Sequence, residues 1–333
     1  MRVIKLKEIT TDYSGIEVVE QQRPNLEKEE ILIKITCAPI NPSDLMMLRG
    51  DYIIEKQPPF VPGLVAVGEV VENNAGLLGR LIMSRRVAFT PVEGKSGTWA
   101  EYAISTPKLC VPLGGKLADE NAVNLLSNAA TAIGLLEMIR KAKSPSVIIT
   151  AAASEVGQMF NKIASRDRIS TINVVRTTEQ ENLVRQAGAV HVLNMTTETF
   201  QQDLSFLAHK LNACIAIDAI AGEMPNILMN AMPDRSTIII LGRLSGKYLR
   251  FDGLKQLVGK QHTLKGFSIS EWFLNKSFIG QVYAGLKAQR LLLNEYTPHI
   301  QHRVSLDEAA QNMYELTQSQ SKGKTVIYPS KKH

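Results

Sequence analysis

A turn of small residues between an apolar segment and a helical pattern is the part of this sequence best suited to bind a ligand. Ala152, Ser154 and Gly157 fill the three positions of the G-x-G-x-x-G fingerprint, of which only the third is still glycine. Small side chains let a pyrophosphate approach the N–H groups at a helix N-terminus, where the helix dipole favours negative charge. The turn therefore indicates a dinucleotide-binding βαβ unit, although an ordinary tight strand-to-helix turn gives the same pattern.

Arg176, at the end of the second apolar segment, indicates which dinucleotide is bound. In NAD-binding units an acidic residue at this position bonds the ribose 2′-hydroxyl, whereas an arginine suits a 2′-phosphate. Here Arg176 is followed by Thr177 and Thr178, and the first acidic residue is Glu179. The position favours NADPH over NADH. The alternative is an arginine that only faces solvent.

The middle of the chain alternates predicted strands and helices, as such a unit requires. Each predicted strand is almost continuously apolar, which is typical of strands buried on both faces of a parallel sheet. The predicted strands are 147–151, 171–175, 190–193, 214–219 and 237–241. Helical spacing fills the intervening segments and the alanine- and leucine-rich segment 118–141. We therefore predict a doubly wound α/β (Rossmann) domain over residues 119–289.

The front of the chain has a different pattern. Residues 1–115 are rich in strand signals, among them the apolar-polar alternation at 31–36 and the apolar run 64–71. Turn signals containing proline, glycine and asparagine separate these segments. A β-rich domain is expected over residues 1–118.

The tail of the chain is expected to return to this front domain, so that residues 290–333 belong to it. Residues 305–317 have amphipathic helical spacing, with Ser305 as N-cap and Glu308 at the capping-box position. The segment 324–328 is predicted to be the final strand.

The composition allows two domains and limits the partners. Of 333 residues, 44% are hydrophobic and 21% are charged. No apolar run approaches the length needed to span a bilayer, and the first residues alternate instead of forming a signal-peptide core. We therefore expect a cytosolic location without a membrane partner. The net charge of +6 could attract a phosphate-rich cofactor or an acidic acyl carrier, but no segment suggests nucleic-acid binding.

The residue types that can bind metals, cysteine and histidine, are scattered along the chain. Cys37, Cys110 and Cys214 are far apart, which disfavours a disulfide framework and a cysteine zinc site. The six histidines have no metal-binding spacing. His299 and His302 are only three residues apart, but we interpret them as surface residues. We predict no metal.

Several short motifs resemble the zinc-free branch of the medium-chain dehydrogenase/reductase superfamily. The front motifs are Asn41-Pro42-Ser43-Asp44, Arg49-Gly50-Asp51-Tyr52, Gly97-Thr98-Trp99-Ala100-Glu101-Tyr102 and Asn128-Ala129-Ala130-Thr131. Within the branch, the strand ending at Arg176 and the segment Lys265-Gly266-Phe267-Ser268-Ile269-Ser270-Glu271-Trp272 are most similar to trans-2-enoyl-CoA/ACP reductases of mitochondrial type. Quinone oxidoreductases share the front motifs. The resemblance implies a GroES-like catalytic domain beside the Rossmann domain.

The resemblance also bears on zinc. Zinc-dependent relatives have a cysteine where this chain has Asn41, and His-Glu where it has Leu64-Val65. Asparagine, leucine and valine cannot form a cysteine–histidine–carboxylate zinc site. The sequence Asn41-Pro42-Ser43-Asp44 is typical of a turn that caps a helix. We therefore interpret Asn41 as a capping residue and not as a catalytic one.

The superfamily's functional residues can be carried onto matching positions. The resemblance places Tyr52 at the proton donor of enoyl reductases, although Tyr52 could instead only line the cleft. The implied cofactor-binding positions are Asn128 and Thr131 at the nicotinamide half, Ala153, Ser154, Glu155, Val156 and Gly157 at the pyrophosphate, Arg176 and Thr177 at the 2′-phosphate, Gly242 and Arg243 over the nicotinamide, and Phe267, Ser268, Ile269 and Lys324 at further contacts. Glu155 departs from the pattern because it replaces a glycine beside the pyrophosphate.

Three functions are compatible with these residues. The first is NADPH-dependent reduction of an enoyl thioester, with hydride added to the β-carbon and Tyr52 donating a proton. The second is reduction of a quinone or enone on the same scaffold, which needs no dedicated proton donor. The third is a regulatory or structural protein that binds NADPH with little turnover.

The partners follow from the same resemblance. Basic residues at the mouth of the cleft would favour a CoA or carrier-protein substrate, and the candidates are Arg80, Arg85, Arg86, Lys247 and Arg250. The superfamily's dimers imply a homodimer that pairs through the sheet edge near residues 264–269.

Overall fold

The computed structural model describes residues 1–52, 54–318 and 323–330, and the chain forms two compact units. The front unit combines Met1–Ser127 with Phe278–His333, and the middle unit is the contiguous segment Asn128–Ser277. The predicted boundary between residues 289 and 290 falls inside a helix of the front unit, Phe278–Asn294.

Most strands of the described residues are short, but one reaches ten residues. In chain order they are β1 Arg2–Leu6, β2 Ile16–Glu20, β3 Ile31–Ile40, β4 Ala66–Asn73, β5 Arg86–Phe89, β6 Tyr102–Ser105, β7 Cys110–Pro112, β8 Ser146–Ile149, β9 Ser170–Val175, β10 His191–Asn194, β11 Ile215–Asp218, β12 Thr237–Ile240, β13 Thr263–Gly266, β14 Ile300–Val304 and β15 Lys324–Ile327.

The helices complete the two units. They are α1 Pro42–Leu48, α2 Gly76–Ile82, α3 Asp119–Ala122, α4 Ala130–Lys141, α5 Glu155–Arg166, α6 Thr178–Gln186, α7 Phe200–Lys210, α8 Met224–Ala231, α9 Leu254–Gly259, α10 Ile269–Leu274, α11 Phe278–Asn294, α12 Leu306–Gln311 and α13 Met313–Gln318. A 3-10 turn covers Pro107–Leu109, and a π-helical turn covers Leu125–Ala129.

The middle unit is built on a sheet of six parallel strands. Their order is β10-β9-β8-β11-β12-β13, which reverses direction between β8 and β11. This is the strand order of a Rossmann sheet, and ligands bind such sheets at the carboxyl ends of the strands beside the reversal. All residues of β8 and β11 are buried, as their continuous apolar runs predict. The five predicted strands are confirmed, and β13 adds a sixth at the edge.

Helices cover this sheet with apolar side chains. Leu204 of α7 and Leu228 of α8 pack in one fully buried cluster with Ile148 of β8 and Ile238 of β12. Burying an aliphatic side chain contributes about 1.5–3 kcal/mol, so this layer holds the helices on the sheet.

The front unit is built on a mixed sheet. Six of its strands follow the order β14-β15-β3-β4-β5-β7, and β6 pairs with β3 off this path. In β3, Ile33 and Ile35 are buried whereas Lys34 and Thr36 are exposed, which confirms the predicted alternation. The final strand β15 lies between β14 and β3, so the tail does rejoin the front sheet.

The predicted helix over residues 118–141 is interrupted. The structure has α3, the π-helical turn and α4 in its place. The expectation that no run approaches membrane-spanning length is wrong by length and composition alone, because Asp119–Lys141 meets that criterion. However, 78% of the most apolar stretch of this segment is buried inside the structure, as in the core helix of a globular domain.

The predicted helix over residues 305–317 is also divided, into α12 and α13, at Asn312. Its start is confirmed as a capping box. Glu308 N donates to Ser305 Oγ at 3.2 Å, and Ser305 N donates to Glu308 Oε2 at 2.7 Å. These bonds satisfy N–H groups that the first helical turn leaves without partners.

Candidate functional site

The turn from β8 into α5 places the N-terminus of a helix at the carboxyl end of a parallel strand. Ser154 is the N-cap of α5, and its Oγ accepts a 3.2 Å hydrogen bond from Gly157 N. A Cβ at Gly157 would lie 2.5 Å from the carbonyl oxygen of Ala152. Only glycine therefore fits without a shift, which gives Gly157 the close-packing role expected of the third fingerprint glycine. The remaining N–H groups of the first turn of α5 are suited to an anion.

Two backbone groups at the start of this turn are held by hydrogen bonds. Ala152 is fully buried, and its N–H donates to Val174 O of β9 at 3.1 Å. Ala153 O accepts a 2.9 Å hydrogen bond from the side-chain amide of Gln158. Glu155 and Val156 are the first residues of α5. A carboxylate at Glu155 is favoured by the helix dipole, which would act equally on a cofactor phosphate.

A buried hydrogen bond joins the strands on the two sides of the sheet's reversal point. Thr150 Oγ1, after β8, donates to Asp218 Oδ1 at the end of β11, at 2.7 Å. The Asp218 carboxylate also accepts from the backbone N–H groups of Ile220 and Ala221, at 3.0 and 2.9 Å. Burial raises the pKa of Asp218, and these hydrogen bonds oppose the rise. The sequence prediction missed this pair, since the two residues are 68 positions apart.

Arg176 lies immediately after β9, at the same edge of the sheet as the β8–α5 turn. Its side chain is exposed, and its backbone N donates to Gln180 Oε1 at 3.0 Å. Among the described residues, its guanidinium has no hydrogen-bond or ion-pair partner. Thr177 is the N-cap of α6, where its hydroxyl accepts from Gln180 N at 3.3 Å. An arginine that is not held by protein groups can bind an anionic ligand group.

Asn128 and Thr131 begin the helical part of the middle unit. Asn128 lies in the π-helical turn, and Thr131 follows three residues later in α4, so the two residues share one helix face. Both are largely buried. Single π-helical turns occur frequently at functional sites.

The loop after β12 extends the same edge of the sheet. Leu241 N donates to Asp218 O at 2.7 Å, and Leu244 N donates to Ala219 O at 2.9 Å, which fixes Gly242 and Arg243 beside the end of β11. The Arg243 guanidinium lies 4.6 Å from the ring centroid of Tyr248.

The segment after β13 packs on α4. A Cβ at Gly134 would lie 2.7 Å from the Phe267 ring and 3.1 Å from the Trp272 ring, so this glycine makes room for both aromatic side chains. Ser268 is the N-cap of α10, with its Oγ accepting from Glu271 N at 3.3 Å. Ile269 is the first residue of that helix.

In the front unit, Lys324 belongs to a buried polar cluster with the start of α1. Lys324 Nζ donates to Asn41 Oδ1 at 2.8 Å. Asn41 is the N-cap of α1, as predicted, and its backbone N donates to Asp44 Oδ2 at 2.8 Å. Asp44 Oδ1 accepts from Leu64 N at 3.0 Å. Burial raises the pKa of Asp44 to about 7, although these bonds and the charge of Lys324 oppose the rise.

Tyr52 lines a pocket of the front unit with a volume of about 230 Å³. Burial raises the pKa of its hydroxyl, and the carboxylate of Asp44 raises it further. Since an ordinary tyrosine has a pKa near 10, Tyr52 holds its proton at neutral pH. The hydroxyl of Tyr52 is therefore in the protonated form that a proton donor needs.

The five basic candidates for a cleft mouth belong to different units. Arg80, Arg85 and Arg86 lie in the front unit, and Lys247 and Arg250 lie in the middle unit. Arg86 is paired with Asp119, and Arg250 lies 3.3 Å from Glu223. The pairing with Asp119 gives Arg86 a structural role within its own unit.

In the part of the chain that the structure describes, the potential metal ligands do not cluster. Within residues 1–52, 54–318 and 323–330, no group of three or more His, Cys, Asp or Glu side chains could hold a metal ion. Cys37 and Cys110 are buried in the front unit, and burial raises the pKa of both thiols. His299 is exposed and His302 is half-buried on β14.

The sequence matches known proteins in its front unit and across both units. Residues 27–115 match the alcohol dehydrogenase GroES-like domain family. The chain is 28% identical over 245 residues to the mitochondrial enoyl-[acyl-carrier-protein] reductase of Bos taurus, a match that covers 72% of this chain and 65% of the bovine protein. The chain therefore matches slightly less than two thirds of that relative's length.

Two solved structures have the same fold over nearly the whole chain. A Mesorhizobium loti protein assigned as an NADPH:quinone reductase superposes with a TM-score of 0.90 at 27% identity, covering 99% of this chain and 98% of that one. The quinone oxidoreductase of Escherichia coli, solved in complex with NADPH, superposes with a TM-score of 0.86 at 17% identity and covers 99% and 100% of the two chains. These matches confirm the predicted Rossmann and GroES-like architecture.

Proposed function

The chain belongs to the medium-chain dehydrogenase/reductase superfamily, in its zinc-free branch, and from that premise we propose that it reduces the C=C bond of 2-enoyl thioesters with NADPH. It is an oxidoreductase, and its cofactor is NADPH. The observation that favours a thioester substrate over a quinone is the position of Tyr52, whose protonated hydroxyl lines a pocket of the front unit.

The middle unit fits NADPH by the chemistry of its donors. The N-terminus of α5, capped by Ser154, supplies N–H groups for the pyrophosphate, and Gly157 allows this helix to pack closely against Ala152. Arg176 supplies a guanidinium for the 2′-phosphate at the end of the neighbouring strand. Glu155 is the residue least suited to this site, because its carboxylate would lie near the pyrophosphate.

The remaining cofactor positions are proposed from the superfamily pattern. Asn128, Thr131, Gly242 and Arg243 would contact the nicotinamide half, and Phe267, Ser268, Ile269 and Lys324 would make further contacts. When bound, NADPH supplies the hydride that adds to the β-carbon of the enoyl thioester.

The chain's own residues stabilise the negative charge of the enolate and supply the proton for the α-carbon. Hydride addition at the β-carbon places negative charge on the thioester oxygen as an enolate forms. Hydrogen-bond donors aimed at that oxygen stabilise the charge, and Tyr52 donates a proton to the α-carbon. The sum is one enoyl thioester, one NADPH and one proton converted to one saturated thioester and one NADP⁺. Solvent returns the proton to Tyr52.

The second candidate is reduction of a quinone or enone. The 27% identity to the Mesorhizobium loti protein favours it, and this reaction needs no proton from Tyr52. A third candidate is a protein that binds NADPH but turns over little substrate.

One assay separates the three candidates. NADPH oxidation is followed with crotonyl-CoA, with a benzoquinone and with neither, using the full chain. We expect turnover with crotonyl-CoA well above the rate without substrate. Turnover of the quinone alone would replace the proposal with the second candidate. Tight NADPH binding without turnover of either substrate would favour the third.

Two further properties are proposed with this function. Two copies are expected to pair through β13, which closes one edge of the sheet and has no buried residue. The substrate is a small molecule or an acyl thioester. The cytosolic location stays a prediction, because the bovine relative is a mitochondrial protein.

A further inference from the structure

The pocket that contains Tyr52 also contains a lysine that the reaction does not use. Lys56 lines this pocket together with Tyr52, Ile54 and Glu55. Lys56 follows Tyr52 by four positions in the sequence, and both side chains line the same pocket. The pocket volume of about 230 Å³ has room for a short acyl chain or the head of a larger ligand, but not for a whole CoA molecule.

Lys56 is half-buried without a close counter-ion. Among the described residues, it makes no hydrogen bond and no ion pair. Its Nζ lies 5.8 Å from the ring centroid of Phe60. The charge of Glu93 opposes the effect of burial on the pKa of Lys56, but Glu93 forms no ion pair with it. Glu55 lines the same pocket, but its side chain is exposed.

A cation in this situation is incompletely compensated. Burial lowers the pKa of Lys56, because removing an ammonium group from water disfavours its charged form. A ligand anion within hydrogen-bond distance would restore the lost interaction. A charge-assisted hydrogen bond of this kind is stronger than one between neutral groups.

We propose that Lys56 is a specificity-determining residue that binds an anionic group of the substrate in the pocket beside Tyr52. This inference rests on the proposed thioester reduction. The anion is a carboxylate at the far end of the acyl chain or a phosphate of the pantetheine arm, and both offer the same oxygen acceptors to Nζ.

The test compares three substrates of the full chain. The first is the neutral crotonyl thioester of N-acetylcysteamine. The second is the same thioester with a terminal carboxylate on the acyl chain, and the third is crotonyl-CoA, which carries phosphates. For each anionic substrate, the quantity measured is the ratio of its kcat/KM to that of the neutral thioester.

Three variants isolate the charge of Lys56. Lys56→Met should lower the ratio about 10–100-fold for the substrate whose anion Lys56 binds, since a hydrogen bond to a charged group contributes about 1.5–3 kcal/mol. Lys56→Arg should keep most of the ratio. Lys108→Met, at an exposed lysine of the front unit, should leave the ratio unchanged. The carboxylated thioester and crotonyl-CoA distinguish the two sources of the anion.

Binding measurements keep this inference separate from the proposed reaction. The saturated counterparts of the three thioesters are titrated into the protein with NADP⁺ bound, using calorimetry. A selective loss of affinity for an anionic thioester in Lys56→Met supports the role even if no unsaturated substrate turns over. Equal ratios in wild type and Lys56→Met, by kinetics and by binding, would overturn it. Equal thermal midpoints would exclude misfolding as the cause of any loss.

Discussion

Lys324 Nζ donates a 2.8 Å hydrogen bond to Asn41 Oδ1 inside the front unit, although the two residues are 283 positions apart. The bond ties the last strand to the start of α1. Asp44, at the third position of that helix, accepts from Asn41 N and from Leu64 N. One buried carboxylate and one buried ammonium therefore organise the polar interior of this unit.

The first prediction concerns the pH dependence of stability. Burial raises the pKa of Asp44 from 3.8 to about 7, so the folded chain keeps a proton that the unfolded chain releases. This contribution to stability is complete below the unfolded value and is lost as the pH rises through about 7. As the pH rises from 3.8 to about 7, the denaturant midpoint of wild type should therefore fall more steeply than that of Asp44→Asn.

The control for this prediction is an exposed carboxylate of the same unit. Hydrogen bonds from Ser14 lower the pKa of Asp12, so its contribution has the opposite sign. Asp12→Asn should therefore not flatten the fall at neutral pH. Parallel profiles for wild type and Asp44→Asn would show that Asp44 does not titrate in this range.

The second prediction concerns the cofactor phosphate. Arg176→Ala should weaken NADPH binding about 10–100-fold, since charge-assisted hydrogen bonds contribute about 1.5–3 kcal/mol, and should leave NADH binding nearly unchanged. Fluorescence titration of both cofactors measures the effect. Arg168→Ala is the matched control, because this exposed arginine precedes β9 at its opposite end. Equal losses for NADPH and NADH in Arg176→Ala would remove the 2′-phosphate role.

The third prediction concerns proton donation. Tyr52→Phe should lower crotonyl-CoA reduction about 10²–10⁴-fold, the usual contribution of a positioned general acid, with NADPH affinity retained. Because the pKa of Tyr52 is raised, wild type should not lose this step through tyrosine ionisation below about pH 10. Tyr102→Phe, at another half-buried tyrosine of the front unit, serves as the control. Full activity in Tyr52→Phe would leave this residue with a pocket-lining role only.

The fourth prediction pairs two substitutions of opposite effect in the β8–α5 turn. Gly157→Ala places a Cβ 2.5 Å from the Ala152 carbonyl and should cost about 1–3 kcal/mol, as overpacked sites do. Ala151 has a φ of +49°, so Ala151→Gly removes left-handed strain and should stabilise the fold by about 0.5–1 kcal/mol. Urea unfolding measures both changes. A stable Gly157→Ala variant would mean that the turn can open.

The sequence predicts the strands of the middle unit well for a physical reason. A strand buried on both faces must be apolar along its whole length, and Ile148 and Ile217 lie in such runs. The N-cap Ser305 is predictable from the sequence for a similar reason, because a capping bond joins residues only three positions apart.

The rest depends on contacts between distant segments. Asp218 ends an apolar run and looks like an ordinary strand end, and nothing near it in sequence points to Thr150. Only the family resemblance indicates Lys324 as a site residue, and nothing in the sequence predicts its hydrogen bond to Asn41. The π-helical turn before α4 also escaped prediction, since Asn128 lies in a segment whose spacing fits a continuous helix.

The position of β15 between β14 and β3 has a consequence for synthesis on the ribosome. The middle unit is one uninterrupted stretch of chain, so it can fold as soon as it has emerged. The front sheet lacks an interior strand until nearly the whole chain has been translated, and residues 38–40 of β3 keep an unpaired edge until then, whereas β6 already pairs with residues 31–34. The pairing of β3 is therefore completed after the middle unit has been made, although β3 precedes that unit in the chain.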